Sequence, residues 1–237
     1  MPKSQPYLEA EQKIQQALKS GATELDLNGM GLTELPPALW KLKSLKVLKL
    51  GYEYTGEKNQ LKEIPKEIGQ LMQLTQLNLS SNKLTILPDS LGQLTQLTEL
   101  NLSSNQLTAL PDSLGQLTQL QLLFLVGNQL TVLPDSLAQL SRVKNLSIGN
   151  NPLINIPEWI GNFLCLEELN IYDLHLKELP AFLSKLVSLT TLIAAQNLLT
   201  SLPEWIYQLN QLQGLIIFRN RILSLSERLG EFSNLQE

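Results

Sequence analysis

Leu97 to Pro111 reads LTELNLSSNQLTALP, and almost the same words recur on both sides of it. From Leu74 the pattern is L-x-x-L-x-L-x-x-N-x-L-x-x-L-P-x-x-L-x-x-L. Its proline can be followed as Pro65, Pro88, Pro111, Pro134, Pro157, Pro180 and Pro203, each 23 residues after the last. Pro36 stands 29 residues before Pro65, so repeat two carries a six-residue insertion; one step beyond Pro203 the slot is Ser226. That makes nine repeats. A unit this short cannot bury its apolar residues alone, so the period predicts a stack of turns sharing one continuous core.

Each position in the unit has a physical reason. In Leu100-Asn101-Leu102 the alternation puts both leucines on one face of a short strand and the asparagine on the other. One strand per turn, always in the same orientation, gives a parallel sheet. Asn105 falls where the chain leaves the sheet, and its amide can bond backbone groups that the bend strands. Asn82, Asn128, Asn151, Asn197 and Asn220 are its equivalents. Pro111, with fixed φ and no N–H, suits the first position of a short helical or 3₁₀ turn that brings Leu114 and Leu117 back inward. About eight inward aliphatics per turn, each worth ~1.5–3 kcal/mol when buried, build the core.

The chain has 237 residues, and because the repeat runs unbroken it reads as one solenoid rather than two domains. Hydrophobic residues make up 43% but aromatics 5%, so leucine fills the interior. A formal charge of −4, with Lys and Arg dispersed, offers no basic stripe for nucleic acid or anionic lipid, and neither partner is expected. Cys165 is the single cysteine, which excludes an intrachain disulfide and points to a cytoplasmic protein. The N-terminus lacks an apolar leader core and no 18-residue apolar run exists for a membrane span.

Residues 1–21 read as a lead and a capping helix: Tyr7, Ala10, Ile14, Ala17 and Leu18 recur at helical spacing from Pro6, and Gly21 is a C-terminal stop. Residues 22–237 are the repeats. The insertion, about 51–59 (GYEYTGEKN), superficially resembles a phosphate loop. Glu57 separates Gly56 from Lys58, Asn59 replaces Ser or Thr, and no long helix follows, so a projecting loop carrying Tyr52 and Tyr54 is expected instead. The N-x-S triplets at Asn78, Asn101 and Asn145 all fall on strands and are the repeat spelling itself. Repeat seven puts Leu174 in the asparagine slot and carries the lone histidine, His175. No nucleophile, base and orienter set, metal-ligand cluster or cofactor motif is present, so no enzyme, cofactor or metal is expected. After Leu225 the proline is lost, and Phe232-Ser-Asn-Leu235 reads as the start of a tenth repeat, which suggests a piece of a longer chain.

The 23-residue unit with N-x-L-T-x-L-P and L-P-x-x-L-G-x-L resembles the intracellular type of leucine-rich repeat. The resemblance implies an α/β solenoid, or horseshoe. Its concave side is a parallel β-sheet, its convex side carries short helical or 3₁₀ turns, and a helix caps the N-terminal end. It further implies a protein-binding scaffold. Residues 9–36, EAEQKIQQALKSGATELDLNGMGLTELP, are similar to the opening of the repeat domain in bacterial and cyanobacterial Roco proteins. That likeness implies the alternative of a regulatory or dimerising domain linked to a GTPase domain on the same chain, outside these residues.

In such a fold the residues between and just after the strand leucines line the concave face. Repeats three and four are polar there (Asn78, Ser80, Asn101, Ser103). Apolar side chains gather elsewhere: Leu122, Phe124 and Val126 in repeat five, and Ile193, Ile216 and Phe218 beside Arg219 in repeats eight and nine. With Lys49, Tyr52 and Tyr172, these are the candidate partner-binding residues, because binding surfaces are enriched in aromatics and Arg within apolar patches. A second column departs from the consensus. Two residues after the proline, Ser90, Ser113 and Ser136 give way to Trp159, Phe182 and Trp205, predicting a file of stacked rings that is either a lid on the core or a second docking surface.

Overall fold

The computed structural model describes residues 3–52, 56–224 and 227. Tyr54, Leu225, Ser226, Phe232 and Leu235 lie outside the described residues. Among the described residues one helix, α1 (Gln5–Ser20), precedes nine three-residue strands. They are β1 (Glu24–Asp26), β2 (Val47–Lys49), β3 (Gln76–Asn78), β4 (Glu99–Asn101), β5 (Leu122–Phe124), β6 (Asn145–Ser147), β7 (Glu168–Asn170), β8 (Thr191–Ile193) and β9 (Gly214–Ile216). They form one sheet in chain order, every pair parallel, with the strand leucines in register from Leu25 through Leu48, Leu77, Leu100 and Leu123 to Leu215. The fold is the expected solenoid, with 3₁₀ turns such as Asp112–Gln116 opposite the sheet.

Helix α1 is capped at its start by Ser4, whose side chain accepts from the Tyr7 N–H, and at its end by Gly21 at φ 66°, donating to the Ala17 carbonyl. Its buried face is Tyr7, Ala10, Ile14 and Ala17, which closes the open end of the first turn. Behind the sheet the leucines merge into a single core running the length of the solenoid.

The glycine in L-P-x-x-L-G-x-L exists for a close approach. A Cβ on Gly92 or Gly115 would collide with the backbone carbonyl of Ser113 or Ser136 in the next turn, so successive 3₁₀ turns touch backbone to backbone there. Where Ala138 and Ser184 replace this glycine, the neighbouring turns pack less closely. Gly115→Ala should therefore cost about 1–3 kcal/mol, the usual penalty for overpacking. Urea unfolding checks this, with Gln116→Ala, on the exposed face of the same turn, as a control expected near zero.

The asparagines form a ladder. Asn105 Oδ1 accepts from the Leu84 N–H of the preceding repeat at 3.1 Å, while its Nδ2 donates to the Leu79 and Leu102 carbonyls at 3.0 Å each. Asn82, Asn128 and Asn151 repeat the arrangement. Asn59 belongs to it as well: it is buried, accepts from the Leu32 N–H at 2.8 Å and donates to the Leu27 and Leu50 carbonyls. That corrects the reading of Asn59 as part of the insertion. Two residues before it Glu57 is tied to repeat one: its N–H donates to the Gly29 carbonyl and its carbonyl accepts from the Gly31 N–H, both at 2.8 Å.

Candidate concave interface

The exposed face of the sheet divides into a polar part that serves itself and an apolar part that does not. In repeats three and four the Oδ1 atoms of Asn78 and Asn101 each accept the backbone N–H two residues on, from Ser80 and Ser103, at 3.0 Å. Asp26 and Asn170 do the same for Asn28 and Tyr172. These side chains cap the chain as it leaves the strand. Their acceptors are occupied before any partner arrives.

Of the candidate residues, Leu122 and Phe124 sit on β5 with Val126 just beyond it, all half-buried. Tyr172 is half-buried too. Its ring lies across Gly149 of the preceding repeat, in the space that a Cβ there would need, so repeats six and seven form a smooth floor rather than a ridge. Ile193 is half-buried beside the buried Ala195, while Ile216 is 37% and Phe218 58% exposed. Arg219 projects from the same end at φ 55°. The structure thus brings Ile193, Ile216, Phe218 and Arg219 together on adjacent strands, with Phe124 and Val126 several strands away across the floor.

Lys49 and Tyr52 stand apart. Lys49 is paired with Glu24 at 3.2 Å at the N-terminal end, and Tyr52 starts the insertion with Lys58 Nζ 5.2 Å from its ring centroid. A further charged pair joins Lys144 to Glu167 at 2.9 Å, and the hydrogen bond that Lys144 Nζ donates to that carboxylate raises the Lys144 pKa above the ordinary lysine value.

The aromatic column lies away from the sheet. Trp159, Phe182 and Trp205 are half-buried and packed against the core. The expected ring-on-ring stack is replaced by packing within one turn: the Trp159 ring meets Phe163 at 5.5 Å, and among the described residues no ring pair joins Trp159, Phe182 and Trp205. Successive turns meet here through backbone: the Phe182 carbonyl and Cβ occupy the space that a Cβ on Gly161 of the preceding turn would need.

A backbone feature went unread in the sequence. Ser81, Ser104, Gly127, Asn150, Asp173, Gln196 and Arg219, each one residue before the asparagine slot, all have φ between +50° and +70°. A left-handed residue at each of these seven exits from the sheet sets the direction in which the adjacent side chains point. The frequent Ser, Gly, Asn and Asp in that column were the available signal.

Among the described residues no cluster of His, Cys, Asp and Glu could hold a metal ion, and no helix is long and apolar enough to cross a membrane. Residues 57–107, 73–130 and 95–153 match the leucine rich repeat family model. No curated protein matches the chain. Among solved structures, an LRR protein of Leptospira interrogans is similar at 36% identity and TM-score 0.79, over 93% of this chain and 61% of its own. Internalin C2 of Listeria monocytogenes is 30% identical with TM-score 0.66, over 74% of each chain. The Arabidopsis receptor kinase HAESA, solved in complex with the peptide hormone IDA and a co-receptor, is 30% identical with TM-score 0.76, over 92% of this chain and 38% of its own. The chain therefore spans less than two thirds of the length of the Leptospira protein and of the receptor. Parallel register, asparagine ladder, family match and structural likeness agree, and the chain belongs to the leucine-rich-repeat family.

Proposed function

We propose that this chain is a non-enzymatic scaffold that binds a protein partner on the concave face of its solenoid. The observation that carries the reading is the contrast along one face. Asn and Ser of repeats three and four are turned to their own backbone, whereas Phe124, Val126, Ile193, Ile216 and Phe218 have no such internal use and leave apolar area facing outward. Exposed apolar area rimmed by Arg219 and Tyr172 is the composition of a binding surface. HAESA, to which the chain is similar, was solved in complex with a peptide hormone and a co-receptor, and that supports a protein or peptide as the partner class. The reading assigns no cofactor, metal, nucleic acid or membrane. It places the protein in the cytoplasm on the strength of its single, exposed cysteine. Trp159, Phe182 and Trp205 are read as cover for the core rather than as a second docking surface, because they pack inward.

The test is affinity capture with the wild-type chain beside a Phe124→Ser, Phe218→Ser double variant. Both should show the same melting temperature, and a protein retained by the wild type should be absent from the variant eluate. Equal retention by two equally folded proteins would move the site elsewhere.

A second reading, a regulatory or dimerising arm of a larger Roco-type GTPase, rests on the likeness of residues 9–36 to the opening of those repeat domains. Sequencing the gene beyond Glu237 tests it: a P-loop motif soon after the repeats would support it, and a stop codon or unrelated domain would remove it.

A further inference from the structure

The segment that follows each ladder residue is normally tied to the next repeat by two bonds. One runs from a backbone N–H to the asparagine Oδ1, as from Leu84 to Asn105, and the other from the residue after the asparagine to a leucine carbonyl, as from Gln106 to Leu84. Both are present between repeats one and two, two and three, three and four, and four and five, and again on either side of repeat eight. Between repeats five and six Pro152 removes one, but Leu130 still donates to Asn151, and the Ile154 N–H donates to the Thr131 carbonyl.

Between repeats six and seven, among the described residues, no such bond is made. Leu174 has no side-chain oxygen to offer the Leu153 N–H, and the His175 N–H makes no bond to the Leu153 carbonyl. His175 itself takes φ 58°, turning the chain away at that point. Strands β6 and β7 stay paired throughout, so the gap is confined to the loop side. A groove opens there, lined by Leu153 to Ile156 on one bank and Leu174 to Glu178 on the other. Ile154 is 73% exposed on the first bank, Leu176 is half-buried on the second, and Lys177 and Glu178 stand exposed at its end.

The unclosed groups specify what fits. Leu153 presents a donor and an acceptor from one residue, and His175 presents a donor opposite. That is the pattern an extended strand offers at its edge, and a second extended backbone is the ligand that meets it with matching carbonyl and amide groups. The apolar banks add a place for a side chain. We propose that the seam between repeats six and seven is a second binding site, taking a short extended peptide whose backbone pairs with Leu153 and His175 and whose apolar side chain covers Ile154 and Leu176. The site is independent of the concave face, because it lies on the loop side of the same turns.

The probe is a displayed library of random heptapeptides selected on the intact wild-type chain. The deciding variant is Leu174→Asn, which restores the ladder residue 21 positions after Leu153, the spacing that joins Leu84 to Asn105. Ile154→Lys, an exposed change with little to disturb in the fold, is the second. The selection should contain peptides that bind both variants at least about tenfold more weakly than wild type, the effect of losing one or two desolvated contacts. They should bind the Phe124→Ser, Phe218→Ser protein unchanged and slow amide exchange at Leu153 and His175. A selection in which every peptide binds Leu174→Asn and Ile154→Lys as well as wild type, as a concave-face binder would, overturns the proposal. So does a selection that yields no peptide preferring wild type over Leu174→Asn.

Discussion

Leu123→Ala is expected to lower stability by about 2–5 kcal/mol, the range for removing a buried leucine from a core that cannot collapse onto the cavity. Leu123 lies at the middle of β5, in register with Leu100 and Leu146 on either side, and is 2% exposed. Its neighbour Phe124 is larger, yet points to the concave face and is half-buried, so Phe124→Ala should cost far less. Denaturant unfolding of the two variants checks the phase of the whole array, since the period is shared by every strand. The opposite ranking would put each strand out by one residue and dismantle the concave-face assignment with it.

Asn105→Ala should cost roughly 2–3 kcal/mol even though it removes no apolar area. The Asn105 amide is buried, and without its Oδ1 the Leu84 N–H loses its partner in the interior. The Leu79 and Leu102 carbonyls fare better, because Asn82 and Asn128 also donate to them at 3.1 and 3.0 Å. A loss within the range of an exposed control, such as Gln106→Ala, would mean that the ladder follows the turn rather than holding it. Repeat seven shows the alternative in the native chain: Leu174 fills the slot with apolar bulk, and the interface opens on that side.

Much of the fold was legible in the sequence. Strand phase and register were, because leucines alternating at a fixed step leave one solution, and Leu25, Leu48 and Leu77 pair as counted despite the 29-residue step of the second repeat. Asn59 reads as part of the insertion only when counted forward from the strand. Counted back from Pro65, it stands at the spacing of Asn82 from Pro88. The column of positive φ was hidden, since Gln196 and Arg219 carry no local preference for that conformation and adopt it as the chain leaves the sheet. The ring file failed for a related reason: spacing fixed where Trp159, Phe182 and Trp205 attach, but not how each ring turns, and Trp159 turns to Phe163 of its own repeat. On the concave face the sequence located the apolar residues, while the self-bonding of Asn78 and Asn101 became visible with the backbone in place.

The central claim, binding by the concave face, is tested most directly by the Kd of the captured partner for three purified proteins: wild type, the Phe124→Ser, Phe218→Ser variant, and a Leu164→Ser, Val187→Ser variant. Leu164 and Val187 are as exposed as Phe218, at 60% and 61% against 58%, but follow the 3₁₀ turns on the other side of the solenoid. The account predicts a Kd raised at least about tenfold by the concave pair, as expected on truncating central aromatic anchors, and changed less than about twofold by the convex pair. A partner that tolerates the concave changes and is lost with the convex ones would contradict it.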